Sequence, residues 1–273
     1  LNLDFLLLAP SNNMTGGGIG PAIFGSFFLV VLMLILTVPL GFAAAIYLSE
    51  YKEGTLTGKI LHSAINNLAG IPPVVLGLFG LGFLVSIVGR SLDTVLQTGL
   101  LFGKPILLWA SVVLSILVLP TITITALQSL QAVPQNLRTA ALSLGATKWE
   151  TIRKVVIKQS LPGVTTGIIL SISRGLGETA PIMFLGCAFF LPHLPLVDIC
   201  IGNYCIPLVN PFEQFMALTY HIFILTTQSP NPTLTMPVQY ASTLVLITLT
   251  LFFNLTAIIF RFKFRKSLSY KNL

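Results

Sequence analysis

Thr139-Ala140-Ala141-Leu142-Ser143-Leu144-Gly145-Ala146-Thr147-Lys148-Trp149-Glu150-Thr151-Ile152-Arg153-Lys154, closing on Leu161-Pro162, is a basic amphipathic island in a chain that is otherwise mostly apolar. Its charges keep it out of a hydrocarbon core, where each ionisable side chain costs about 2.5–3.5 kcal/mol on insertion scales. It is too regular for a loose loop and too short for a domain. A helical island between two spanning helices suits a handle gripped by a soluble partner; an ordinary amphipathic surface helix is the plainer reading.

Around the island, 54% of the 273 residues are hydrophobic and 8% charged, and the mean hydropathy is +0.91. No soluble domain of this length covers itself with so few polar groups. A helix needs about 20 apolar residues to cross a bilayer. Stretches at about 20–48, 64–88, 105–128, 163–190 and 238–262 meet that requirement. The expected fold is therefore all-α, a polytopic transmembrane bundle with five spans in this chain. Residues 1–19 form an extracytoplasmic lead-in, and 263–273 a basic tail.

Charge orients the bundle. Twelve of the fifteen Lys and Arg residues fall on one side: Lys52 and Lys59 after the first span, Arg138 to Lys158 after the third, Arg261 to Lys271 after the fifth. Basic loops stay cytoplasmic, so the C-terminus is expected inside and Leu1 outside. The net charge of +7 is this topology signal, not a nucleic-acid footprint. Five spans with an outside start suggest a further helix upstream, giving six; a genuine five-span protein is the other reading.

The long outer loop, Leu191 to Pro237, is rich in proline and expected to be partly ordered. It holds Cys200 and Cys205. That compartment permits a disulfide between them; two free thiols are the other reading. Cys187 reads as small packing.

In the fourth span Ser173-Arg174-Gly175-Leu176-Gly177-Glu178-Thr179-Ala180-Pro181 places Arg174 and Glu178 four apart, on one helical face. Ionisable residues in a span usually face the bundle interior or a wet cavity. A guanidinium forks onto oxyanion oxygens and stays charged. Glu178 would hold the arginine, take a proton, or receive the arginine once the anion leaves. A structural ion pair locking two helices is the competing reading. Gly175, Gly177 and Pro181 loosen the helix, as in transport sites built on broken helices. In the second span, Ile71-Pro72-Pro73-Val74-Val75-Leu76-Gly77 breaks the helical ladder. Gly77 and Gly82 there allow close approach, and Asn66 and Asn67 are placed to bond across helices.

The island resembles the cytoplasmic coupling loop of ABC-importer permeases: Glu-Ala-Ala, three residues, Gly, nine residues, Ile, one residue, Leu-Pro. Ala140, Ala141 and Gly145 match; Val155 and Ile157 fall at the Ile and Leu positions; Thr139 replaces Glu and Lys158 replaces Pro. The 174–181 run is similar to the Arg-Gly-Glu-Thr-Ala-Pro-like run of phosphate permeases. Together with the double-proline run, it makes the chain resemble PstA-type permease subunits of phosphate importers from about residue 16 onward.

That resemblance implies a type I permease domain over 20–262 with the coupling loop at about 136–160. It implies an anion path past Arg174 and Glu178 and an ATPase-coupling surface at Ala140, Ala141 and Gly145. The implied partners are a second permease subunit (PstC type), two ATP-binding subunits (PstB type) and a periplasmic phosphate-binding protein (PstS type). ATP and Mg would sit on the partner ATPase, with no cofactor on this chain.

Other motifs fail. Gly54-Thr55-Leu56-Thr57-Gly58-Lys59 has three residues between its glycines where a phosphate loop needs four, and Ile60 stands where Ser or Thr should bind magnesium. His62, His193 and His221 make no zinc or HExxH spacing. His193 and Asp198 are the only outer pair for a lipid head-group enzyme, too thin a set for chemistry. A permease for another tetrahedral oxyanion and a stand-alone secondary anion carrier with Glu178 as proton relay are the alternatives.

Overall fold

A computed structural model describes residues 3–11, 16–52, 54–188, 190–191, 194–201, 204–229 and 231–269. Among these, five helices are long and apolar enough to cross a membrane. After a one-turn helix at Leu3–Leu7, the order is α1 (Gly20–Tyr51), α2 (Leu56–Ala69), α3 (Pro73–Leu96), α4 (Leu107–Gln131), α5 (Gln135–Ser143), α6 (Lys148–Gly177), α7 (Leu218–Thr227) and α8 (Pro232–Ser269). α1, α3, α4, α6 and most of α8 are the five spans. The expected helical bundle is found. The outer loop carries α7 and an antiparallel hairpin of β1 (Leu196–Ile201) and β2 (Tyr204–Val209), and a short strand pair, Pro10–Ser11 with Gly16–Gly17, precedes α1.

Two spans begin and end elsewhere than hydropathy places them. The second starts at Pro73, and 64–69 belong to α2, a separate amphipathic helix. Pro72 disfavours a helical Ile71, and Pro73 at the first helical turn needs no N–H partner. The two prolines therefore start the span rather than kink it. The fourth span runs Lys148–Gly177, not 163–190. Half of the basic island thus opens the same helix that crosses the membrane. After Gly177 the chain leaves the helix, makes a 3₁₀ turn at Ile182–Phe184, and Cys187 then bridges to Phe215. Pro232 and Pro237, read as loop, lie in α8, with Pro232 its first residue.

Two compact units divide the chain. One comprises Leu1–Met33, Pro72–Ser115 and Gly175–Thr250. Its packing is close around Ser26, whose hydroxyl accepts from Leu218 N at 2.7 Å. A Cβ at Gly77 would lie 2.7 Å from Pro181 Cα, so that glycine does serve close approach. Gly82 meets nothing nearby. Asp93 caps the loop after α3 by accepting from Thr98 Oγ1 and from the Leu101, Phe102 and Gly103 N–H groups.

The other unit comprises Leu34–Ile71, Ile116–Arg174 and Leu251–Leu273. Its core joins Ala45 and Leu48 of α1, Leu127 and Leu130 of α4, and Val156 and Val164 of α6. Gly163 and Gly167, four apart on α6, lie directly against the Ser129 and Thr125 side chains of α4. Small residues at that spacing let two backbones approach closely, which is how helices associate where lipid removes the hydrophobic drive.

Candidate functional site

Arg174 occupies the last turn of α6, half-buried, and donates from Nη1 to Thr121 Oγ1 of α4 at 3.4 Å. The neighbouring Ser173 hydroxyl faces acceptors on its own helix and on α8: its Oγ donates to Ile169 O at 3.2 Å and to Asn254 Oδ1 at 3.0 Å. Span four is thus tied on two sides where its arginine sits. Glu178 lies one residue beyond the helix end and is also half-buried. The regular helix therefore ends between the two residues. Gly177 ends the regular turns, and Pro181, lacking an N–H for the Gly177 carbonyl, cannot continue them. The arginine stands at the broken end of a span, not in the middle of an unbroken one.

The handle is built from local signals. α5 stops in a left-handed turn: Gly145 has φ +83°, its N–H reaches Leu142 O, and Ala146 N–H reaches Ala141 O. Glycine adopts this conformation without the Cβ penalty. Thr147 then starts α6 with a capping box, accepting from Glu150 N while Glu150 Oε2 accepts from Thr147 N at 3.0 Å. Ala140 and Gly145 are exposed and Ala141 is half-buried. Beside them Leu144 is 89% exposed and Trp149 54% exposed. Both present apolar surface beside the small residues of the island.

Beneath the handle lies a feature absent from the sequence reading. Arg138, counted there only as a topology charge, is buried. Its Nη1 is 2.6 Å from Glu50 Oε1 at the end of α1, and its Nη2 donates to Leu130 O at 2.7 Å in the last turn of α4. The Leu130 carbonyl, in the last turn of α4, also accepts from Val133 N at 3.3 Å. The Lys148 ammonium sits 4.6 Å from the centroid of the Tyr51 ring. Glu50 and Tyr51 belong to one π-helical turn, Tyr47–Tyr51. Glu50 and Arg138 are eighty-eight residues apart, so no local spacing in the sequence pairs them.

Thr55 of the phosphate-loop look-alike caps α2, accepting from Gly58 N at 3.2 Å. Asn66 bonds within α2, its amide donating to His62 Nδ1 at 3.2 Å, not across helices. Cys200 and Cys205 are register partners across the β1–β2 hairpin; their side chains, with that of Asp198 and all of His193, lie outside what is described. Cys187 is buried, accepts from Ala217 N at 3.1 Å, and burial pushes its thiol pKa well up.

Residues 37–193, which hold both the handle and Arg174, match the family described as binding-protein-dependent transport system inner membrane component. The chain belongs to that family. Members of this inner membrane component family match at useful identity. The probable ABC transporter permease protein YqgH of Bacillus subtilis (strain 168) is 35% identical over 187 residues, 68% of this chain and 58% of that one. The phosphate transport system permease protein PstA of Yersinia pestis is 35% identical over 228 residues, 82% of this chain and 72% of that one. An inward-facing structure of the MetNI methionine ABC transporter shares the fold, with TM-score 0.60 at 15% identity over 90% of this chain and 94% of that one. This inner membrane component is therefore a multi-pass permease subunit, a component of transport.

Proposed function

We propose that this chain is the membrane-spanning permease subunit of an ATP-driven inorganic phosphate importer, forming half of the anion path. The observation that carries the reading is Arg174, half-buried at the broken end of α6. A fixed cation there offers bidentate donors to a tetrahedral oxyanion and keeps its charge through the cycle. Identity of 35% to a phosphate permease over most of the chain supports the choice of anion. Glu178, just past the break, takes over the guanidinium when the anion leaves.

The partners proposed are a second permease subunit of PstC type, two ATP-binding subunits of PstB type and a periplasmic phosphate-binding protein of PstS type. ATP and Mg sit on the ATP-binding subunits, and this chain binds no cofactor. The projecting Leu144 and Trp149, with Ala140, Ala141 and Gly145, dock in a cleft of the ATPase. The handle and the C-terminus face the cytoplasm, following the basic residues. The permease domain takes in 20–262, with its coupling loop at about 136–160, the lead-in 1–19 outside and the tail 263–273 inside. Cys200 and Cys205 close the outer hairpin by a disulfide, a role their cross-strand register supports.

Reconstitution with those partners in proteoliposomes tests the reading. ATP-dependent uptake of labelled phosphate, resistant to excess sulfate and molybdate, is expected. Uptake driven by a proton gradient without ATP, and unaffected by deletion of 139–146, would establish a secondary carrier instead.

A further inference from the structure

Two side chains of the handle, Arg138 and Lys148, reach the same turn of α1. Arg138, from α5, reaches away from its own helix to the Glu50 carboxylate and the Leu130 carbonyl. Lys148, the first residue of α6, lies over the Tyr51 ring. So the helices on either side of the Gly145 turn hold consecutive residues of one π-helical turn.

Two physical facts give this arrangement a direction. The Arg138 and Glu50 side chains are 11% and 8% exposed. Separating such charges strands each of them in a low-dielectric setting, so the pair resists being pulled apart. A π-helical turn, by contrast, is a rare single-turn widening that often marks functional sites, and it has the ordinary α-turn as an alternative. A pull on the handle therefore meets a stiff joint first and an adjustable turn second. We propose that Glu50 and Arg138 are positioning residues for transport, forming the joint through which displacement of the handle moves the end of span one. This rests on the phosphate-import reading for its substrate, but not for its mechanics.

Arg138→Lys in the complete reconstituted complex tests it, since lysine keeps the charge but cannot fork between Glu50 and Leu130 O. The variant is expected to assemble and hydrolyse ATP, while phosphate imported per ATP falls about tenfold, within the range of known inter-site couplings. Spin labels at Thr139 and Tyr47 should keep a constant separation between nucleotide-free and ATP-bound states in the wild type, and a changed one in the variant. An unaltered phosphate-to-ATP ratio with unaltered label distances would overturn the joint. So would uptake and hydrolysis falling in parallel. Lys148→Gln, at an exposed residue, covers the case where Arg138→Lys does not assemble: a lowered ratio supports the joint and an unchanged one overturns it. A wild-type complex that imports no phosphate removes the import reading alone, and the label distances still decide the joint.

Discussion

Glu50 and Arg138 lie eighty-eight positions apart in sequence and 2.6 Å apart in space, nearly sealed from solvent. Removing one partner leaves the other charged and buried, which costs roughly 3–5 kcal/mol. Removing both leaves no orphan charge. We therefore expect Glu50→Leu or Arg138→Met alone to lower the melting temperature of the detergent-solubilised protein more than the double substitution does. A double-substitution cycle read by thermal unfolding checks this, and simple additivity would contradict it.

The handle's exposed tip makes a second expectation. Leu144→Asp alters no packing in this chain, because the side chain is 89% exposed. Thermal stability of the isolated chain should stay within about 0.5 kcal/mol. Recovery of the ATP-binding subunit with the affinity-purified chain should fall several-fold. Undiminished recovery would remove Leu144 from the docking surface.

Gly163 and Gly167 set how close α4 and α6 come. A β-branched side chain at either must displace Ser129 or Thr125. Overpacking of this kind costs about 1–3 kcal/mol. Gly163→Val and Gly167→Val are expected to lower the unfolding temperature, whereas Gly82→Ala, where a Cβ meets nothing, should not. Equal effects at the three glycines would contradict the close approach.

Cys187 is held as a neutral thiol by burial, its pKa raised well above the ordinary range. Because the thiolate is the reacting species, its alkylation should stay slow in the folded protein between pH 7 and 9 and become fast on unfolding. Mass spectrometry after maleimide treatment reads this directly. Rapid labelling of the native protein would show that the thiol is accessible.

Spans one, three and five were legible because each is a long apolar run whose ends are marked by charge or loop residues. The boundaries of spans two and four were not, since a helix apolar on all sides offers no period to phase. There Pro72, Pro73, Gly177 and Pro181 set the ends, and hydropathy averaging runs straight through them. The outer hairpin did leave a trace: Leu196–Ile201 and Tyr204–Val209 flank Gly202-Asn203, a two-residue spacing typical of hairpin turns. At the site, Arg174 and the small residues of the handle could be picked out by type and spacing. The Glu50–Arg138 joint could not, because local reading gives no account of which charge a buried arginine will find eighty-eight residues away.

The role proposed for Arg174 is to meet the travelling anion with its guanidinium. ATP-driven phosphate uptake by the complex carrying Arg174→Ala, with assembly checked by co-purification, measures it most directly. Uptake is expected to vanish while the complex stays whole, and Arg174→Lys should restore only part of it, since an ammonium lacks the fork. An assembled Arg174→Ala complex that imports phosphate at the wild-type rate would contradict the account.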